Sequence, residues 1–171
     1  MSDGYFQINP YENAFLVRLV TFLNLHILPQ ELLGQYLEFT PVDSCGDAII
    51  TVLQNKNLSQ TIYHIYNNYH LDMIDFITYI KDLGIHMKIV TDKEFSKQMT
   101  KMLKNKEQKA KISGIVNDLT SDKKLEYTSH IQITAEETIH FLQKVQFEWP
   151  KIEKSYIEKY IAYLRQLKFI P

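Results

Sequence analysis

Residues 38–90 constrain the fold most, because strand-like and helix-like patterns alternate within this stretch. A short apolar run at its start predicts a strand over 38–42. Asp43 and Ser44 come next, and both are residue types that cap helix N-termini, so a helix is predicted over 45–53. The first strand is therefore expected to lead directly into a helix.

The alternation continues through the second half of this stretch. Residues 62–66 are mainly β-branched and aromatic, which predicts another strand. Apolar residues then recur at helical spacing from Met73 to Ile80, and Gly84 stands where a left-handed C-terminal cap is needed. A third strand is predicted at 87–90. The stretch as a whole is thus predicted to form a β-α-β-α-β unit.

Helical patterns flank this unit on both sides. Asn9 and Pro10 are typical of a helix start, and the apolar positions that follow predict a helix to about Asn24. After the unit the chain predicts helices alone, and the last of them carries apolar residues at helical spacing over 152–167. Two capping boxes support this reading, formed by Thr91 with Glu94 and by Thr134 with Glu137.

The fold class that follows is a predominantly helical α/β fold, with a small sheet of short strands and about six helices. A chain of 171 residues is expected to be a single domain. We expect residues 1–90 to be mixed α/β and residues 91–171 to be helical. No internal repeat or low-complexity segment divides the chain.

Composition narrows the class of protein further. The formal charge of −1 and the 45% hydrophobic content give no indication of nucleic-acid binding or of disorder. Cys45 is the only cysteine in the sequence, which excludes an internal disulfide. The polar N-terminus has no signal-peptide core, and no apolar segment is long enough to span a membrane. We therefore expect a cytoplasmic protein without membrane contact.

An ordered set of short segments resembles a known family. The set covers nearly the whole chain from Gly4 onward, and no single segment in it is diagnostic. Its members are G-Y-F-Q-I-N and N-A-F near the N-terminus, T-P-V-D at 40–43, Y-H-I at 63–65, L-G-I at 83–85, T-D-K-E-F at 91–95 and F-E-W-P-K-I at 147–152. In this order they resemble the C-terminal portion of thioester reductase domains of nonribosomal peptide synthetases. These domains belong to the extended short-chain dehydrogenases and are related to carboxylic acid and aminoadipate reductases.

The resemblance implies a part in NADPH-dependent release of a carrier-bound peptidyl or acyl thioester as an aldehyde or alcohol. The implied partners are a peptidyl carrier protein, whose phosphopantetheine arm holds the substrate, and the Rossmann portion of the same reductase. We also expect self-association through the first helix or an unpaired edge strand where the Rossmann portion is lacking. An alternative from another class is a non-catalytic helical module that binds a protein partner.

The chemical parts of a complete reductase are missing from the sequence. Its five glycines are never closer than twelve positions, so it has no glycine-rich turn for a dinucleotide pyrophosphate. None of its eleven tyrosines has a lysine four residues later, so the family's Tyr-x-x-x-Lys pair is also absent. We therefore predict no catalytic residue and no cofactor-binding residue here, and expect the chain to be inactive alone.

Four residues are candidates for substrate binding because they match the family's segments: Gln7, Asn9, Asn13 and His64. The resemblance implies that the first three border the active site of the complete enzyme. Asn9 is equally well explained as a helix cap, and His64 as a hydrogen-bonded packing residue.

Other polar groups favour structural roles. His64, His70, Asp72 and Asp75 lack the spacing of metal ligands, so we predict no metal site. Cys45 has neither a nucleophile elbow nor an oriented histidine beside it. The lysine-rich run over 101–111 is more typical of a solvated face than of a phosphate site, although an acidic carrier protein is a possible partner for it.

Overall fold

The computed structural model describes residues 10–126 and 135–171, so Gln7, Asn9 and Thr134 lie outside the described residues. The described α-helices are α1 (Ala14–Leu25), α2 (Val42–Gln54), α3 (Met73–Asp82), α4 (Asp92–Leu103), α5 (Lys106–Lys111), α6 (Glu136–Lys144) and α7 (Lys154–Gln166). The strands are β1 (Ile27–Pro29), β2 (Tyr36–Glu38), β3 (His70–Asp72) and β4 (Lys88–Val90). Short 3-10 helices lie at Pro10–Glu12, Gln30–Gly34 and Ser113–Asp118. The predicted fold class, α/β and predominantly helical, is confirmed.

The short strands form two separate pairs. β1 and β4 are parallel, with Ile27 opposite Lys88 and Pro29 opposite Val90. β2 and β3 are antiparallel, with Tyr36 opposite Asp72. The strand predicted at 87–90 is therefore confirmed, whereas β1 had no counterpart among the predicted strands.

The strand predicted at 62–66 is wrong for the chain as described. These residues have no ladder partner among the described residues, and the strand that pairs with β2 begins at His70. Strand composition favours an extended backbone, but only a neighbouring strand can complete the hydrogen bonds of a ladder. The strand predicted over 38–42 is also displaced. The observed strand, β2, spans Tyr36–Glu38, so it shares only residue 38 with the predicted range.

The start of α2 also differs from the prediction. Pro41 is the N-cap residue, and the helix begins at Val42 instead of Cys45. Proline suits this place because its φ is already fixed and the first amides of a helix have no intrahelical acceptor. Asp43 therefore lies inside the first turn, where its carboxylate accepts the Ser44 amide at 3.0 Å.

Asn13 is the N-cap of α1. Its side-chain oxygen accepts the Leu16 amide at 2.9 Å, and the helix begins at Ala14. The helix predicted from Pro10 is thus divided into a 3-10 turn and α1. The capping role assigned to Asn9 lies outside the described residues.

Two predicted helix boundaries are confirmed by their hydrogen bonds. Thr91 and Glu94 form the predicted capping box at the start of α4. The backbone amide of Thr91, followed by its hydroxyl, lowers the pKa of the Glu94 carboxyl. Gly84 has a φ of 84° after α3, and its amide reaches the Lys81 carbonyl at 3.0 Å. At α6 the N-cap is Ala135, so Glu137 is the second helical residue and cannot take the third position of a capping box.

The main core joins α1, α3, α4 and α7. Phe39 lies at its centre and makes edge-to-face contacts with Phe15, Tyr156 and Tyr160, at centroid distances of 5.5, 5.6 and 5.2 Å. Burial, followed by the neighbouring Tyr156, raises the pKa of the Tyr160 phenol above its ordinary value. The last helix, whose apolar residues the sequence placed at helical spacing, thus packs into the main core.

A second, smaller core joins α2 to α6. Ala48 and Val52 of α2 pack there with Phe141, Leu142 and Trp149. Asn67 connects the two cores: it is fully buried and donates through Nδ2 to the carbonyls of Phe39 and Pro150, at 3.0 and 2.9 Å. One asparagine therefore holds together chain segments that belong to different cores.

Candidate functional site

A cleft of about 210 Å³ lies between α1, β2 and the start of α3. Its floor is apolar and buried, and is made by Leu19, Phe22, Leu37 and Met73. These residues come from three elements, α1, β2 and α3. The floor therefore suits an apolar group.

The rim of the cleft is more polar. It is formed by Phe15, Arg18, Leu32, Gln35 and Tyr36. The Arg18 guanidinium holds the Asp118 carboxylate through two contacts, at 2.9 Å from Nε and 2.8 Å from the terminal nitrogen. Because Asp118 neutralises the charge of Arg18, the rim offers hydrogen-bonding groups but no free positive charge from Arg18.

Two contacts hold the β2 side of the rim. The Gln35 carbonyl accepts the Met73 amide at 3.1 Å, which ties the start of α3 to β2. The Tyr36 ring lies 4.4 Å from the His70 ring across the β2–β3 pair. The cleft wall is therefore built from paired strands instead of a free loop.

The structure describes two of the four predicted substrate-binding residues, Asn13 and His64. Gln7 and Asn9 lie outside the described residues, and Asn13 caps α1 two residues before the cleft residue Phe15. His64 is exposed, and its backbone amide donates to the Thr138 hydroxyl of α6 at 3.0 Å. Of the two described residues, Asn13 therefore lies next to the cleft along the chain, and His64 does not line it.

Sequence reasoning missed Arg18, Gln35 and Tyr36. Arg18 could have been found from the sequence, because it places a charge within the apolar sequence of α1. Gln35 and Tyr36 carried no such signal, because they reach the cleft only through the pairing of β2 with β3.

Among the residues that the structure describes, the ends of the parallel strands do not fit a dinucleotide. In open parallel sheets, phosphates bind beyond the carboxyl ends of strands, close to helix N-termini. Beyond β1 and β4 that place is taken by Glu31 and Asp92, and a hydrogen bond with Asp92 raises the pKa of the Glu31 carboxyl. Two acidic side chains without a glycine turn would repel a pyrophosphate.

Other candidate chemistry has weak support in the described residues. Residues 10–126 and 135–171 contain no group of three or more His, Cys, Asp or Glu placed to hold a metal. Over the same ranges no helix combines the length and apolar character needed to cross a membrane. Lys104, Lys106, Lys109 and Lys111 are exposed around α5, in keeping with a solvated face.

Three solved structures are similar to this chain. A thiolation-reductase di-domain from an archaeal nonribosomal peptide synthetase matches with a TM-score of 0.77 and 22% identity, over 98% of this chain and 34% of that chain. The terminal R domain of the myxalamid polyketide–nonribosomal peptide pathway matches at 0.68 and 15%, over 93% and 39%. The reductase domain of the aureusimine biosynthetic cluster matches at 0.69 and 18%, over 96% and 40%.

These matches define the class of fold. Nearly the whole chain has the fold of part of a synthetase reductase domain, so the resemblance predicted from the sequence is confirmed at the level of fold. The chain spans between 34% and 40% of the length of the three matched chains. No protein-family model matches the chain, and no curated protein matches it.

Proposed function

We propose that this chain is the C-terminal, substrate-binding portion of an NADPH-dependent thioester reductase domain. In the complete domain, a carrier-bound peptidyl or acyl thioester is released as an aldehyde or alcohol. The observation that carries the proposal is the match of 93–98% of this chain to one part of three reductase domains.

The cleft beside α1 is the substrate site in this proposal. Its buried floor, with Leu19 and Leu37, removes apolar surface of an acyl or peptidyl group from water. Gln35 and Tyr36 offer polar groups at the rim that can orient a thioester or amide. Asn13, two residues before the cleft residue Phe15, is proposed to extend this rim. Gln7, Asn9 and His64 keep their proposed part in substrate binding on the resemblance alone.

Reduction itself belongs to residues outside this chain. NADPH supplies the hydride when bound, but Glu31 and Asp92 occupy the place where a pyrophosphate would need donors. Tyr160, which is buried in the core, has a raised pKa, whereas a catalytic tyrosine paired with lysine has a lowered one. This chain therefore binds, orients and shields the substrate, and the remaining portion supplies the chemistry.

A carrier protein is the proposed delivering partner. One of the similar structures is itself a thiolation-reductase di-domain, in which both functions share a chain. The phosphopantetheine arm would bring the thioester to the cleft, so the acyl group alone need not bind tightly.

We expect the isolated chain to bind an acyl thioester weakly through the cleft. Titration of the isotope-labelled chain with S-octanoyl-pantetheine should shift amide resonances of α1, β2 and the start of α3. Leu32→Trp places a ring at the half-buried rim and should weaken binding about tenfold, equivalent to roughly 1.4 kcal/mol.

Ile89→Trp is the matched control, because Ile89 lies on β4 and does not line the cleft. It should leave the affinity unchanged. Equal binding by Leu32→Trp and the unaltered chain, or no shifts at millimolar ligand, would contradict the assignment of the cleft.

A further inference from the structure

One face of α2 is apolar and exposed. Val42, Ile49, Ile50 and Leu53 recur at helical spacing, and Leu53 is 76% exposed. The opposite face, with Ala48 and Val52, is buried against α6. We call the exposed set, together with Gly46 between Val42 and Ile49, the outer face of α2. It is an apolar surface that this chain leaves in contact with solvent.

Gly46 has no function in the chain's own packing. A glycine inside a helix costs about 1 kcal/mol relative to alanine. A Cβ added at Gly46 would meet nothing within 4 Å, so no neighbour in the described chain requires its small size. By contrast, a Cβ at Gly114 would lie 2.5 Å from the Val17 carbonyl oxygen. The small size of Gly46 is thus useful only to a group that approaches from outside.

A segment without helix or strand follows α2. Leu58 and Ile62 are exposed there, and Ile62 is 69% exposed. Residues 58–66 have strand-like composition and no ladder partner among the described residues. Such a segment can add to the edge of another sheet through main-chain hydrogen bonds. The outer face of α2 and this segment are adjacent in sequence and expose apolar side chains.

The comparisons indicate what covers this surface. This chain accounts for at most 40% of each matched reductase chain, so the larger part of that architecture lies outside it. Monomeric proteins seldom leave large apolar patches exposed. We infer that the outer face of α2 and residues 58–62 dock the remaining portion of the reductase domain, with Gly46 at the point of closest approach. The inference rests on the proposed function.

The same observations correct an expectation about the first helix. The first helix was expected to offer a surface for self-association, but its Leu19 is buried in the floor of the cleft. Phe15 is only 37% exposed and contacts Phe39. The exposed apolar surface available to a partner therefore lies on α2 instead of α1.

The test pairs this chain with the part of the archaeal thiolation-reductase di-domain that lies outside the matched third. The two are co-produced, and complex formation is measured by sedimentation. Gly46→Leu adds a side chain in open space and replaces a helix glycine, so the thermal midpoint of the chain should stay the same or rise slightly. Its affinity for the partner should fall about 100-fold, as expected for blocking a central contact. Hydrogen exchange of residues 46–62 should slow in the unaltered complex.

Ile74→Asp is the matched control, since Ile74 is 58% exposed but lies on α3. It should leave the affinity unchanged. A complex that tolerates Gly46→Leu, or that leaves exchange at residues 46–62 unaltered, overturns this inference and leaves the proposed function standing. If the unaltered chain forms no complex, both the docking inference and the proposed function are overturned. A self-dimer that Gly46→Leu abolishes, with no mixed complex, would assign the surface to a second copy.

Discussion

Asn67→Ala is expected to lower the free energy of unfolding by about 3 kcal/mol, because buried groups that lose their partners cost roughly 1–3 kcal/mol each. The side chain makes three hydrogen bonds: its Nδ2 donates to the Phe39 and Pro150 carbonyls, and its Oδ1 accepts the Tyr69 amide at 3.0 Å. Alanine removes all three. Urea unfolding followed by circular dichroism measures the change.

Asn67→Asp refines the same test. The carboxylate keeps the size of the side chain and can still accept the Tyr69 amide, but it places an oxygen against the two carbonyls that Nδ2 now satisfies. A buried charge facing two acceptors is unfavourable, so we expect this variant to be at least as unstable as Asn67→Ala.

Asn57→Ala is the control, since Asn57 is exposed in the loop after α2. It should change stability by less than about 0.5 kcal/mol. If Asn67→Ala were no less stable than Asn57→Ala, Asn67 would not be the connection between the two cores.

Gly114→Ala is expected to lower the free energy of unfolding by about 3 kcal/mol, at the upper end of the range for overpacking. Gly114 belongs to the 3-10 helix that packs on α1. An added Cβ would lie 2.5 Å from the Val17 carbonyl oxygen and 2.6 Å from the Thr21 hydroxyl oxygen. The carbonyl belongs to helix backbone and already accepts the Thr21 hydroxyl at 2.8 Å, so it cannot move away cheaply.

Gly46→Ala is the matched control for this substitution. Gly46 lies inside α2 in open space, so alanine should raise the free energy of unfolding by about 0.5–1 kcal/mol through its better helix propensity. Denaturation midpoints of the two variants should therefore move in opposite directions. A Gly114→Ala chain as stable as the unaltered one would mean that α1 and the 3-10 helix are not in close contact.

Local signals in the sequence predicted the helices well. The Thr91–Glu94 capping box and the Gly84 cap depend on groups within a few residues of each other, and both are present in the structure. The start of α2 was misplaced by three residues, because Asp43 and Ser44 are good capping residues but Pro41 already ends the preceding segment.

Strands and the cleft depend on contacts between distant residues, and there prediction was weaker. Residues 62–66 have the composition of a strand but no described partner, whereas β1 and β3 are strands because β4 and β2 lie beside them. The role of Asn67 could not be predicted either, because nothing in the sequence shows that Phe39 and Pro150 meet it. The cleft likewise needs α1, β2 and α3 to assemble before it exists.

The central claim is that this chain completes a thioester reductase. Its most direct test is NADPH oxidation in a mixture of this chain, the complementary part of the archaeal di-domain and a carrier-bound thioester. The account predicts oxidation and aldehyde or alcohol formation only when both parts are present, and neither oxidation nor NADPH binding by this chain alone. A complex without any thioester-dependent oxidation, or micromolar NADPH binding by the isolated chain, would contradict the account, and the former would favour a non-catalytic interaction module.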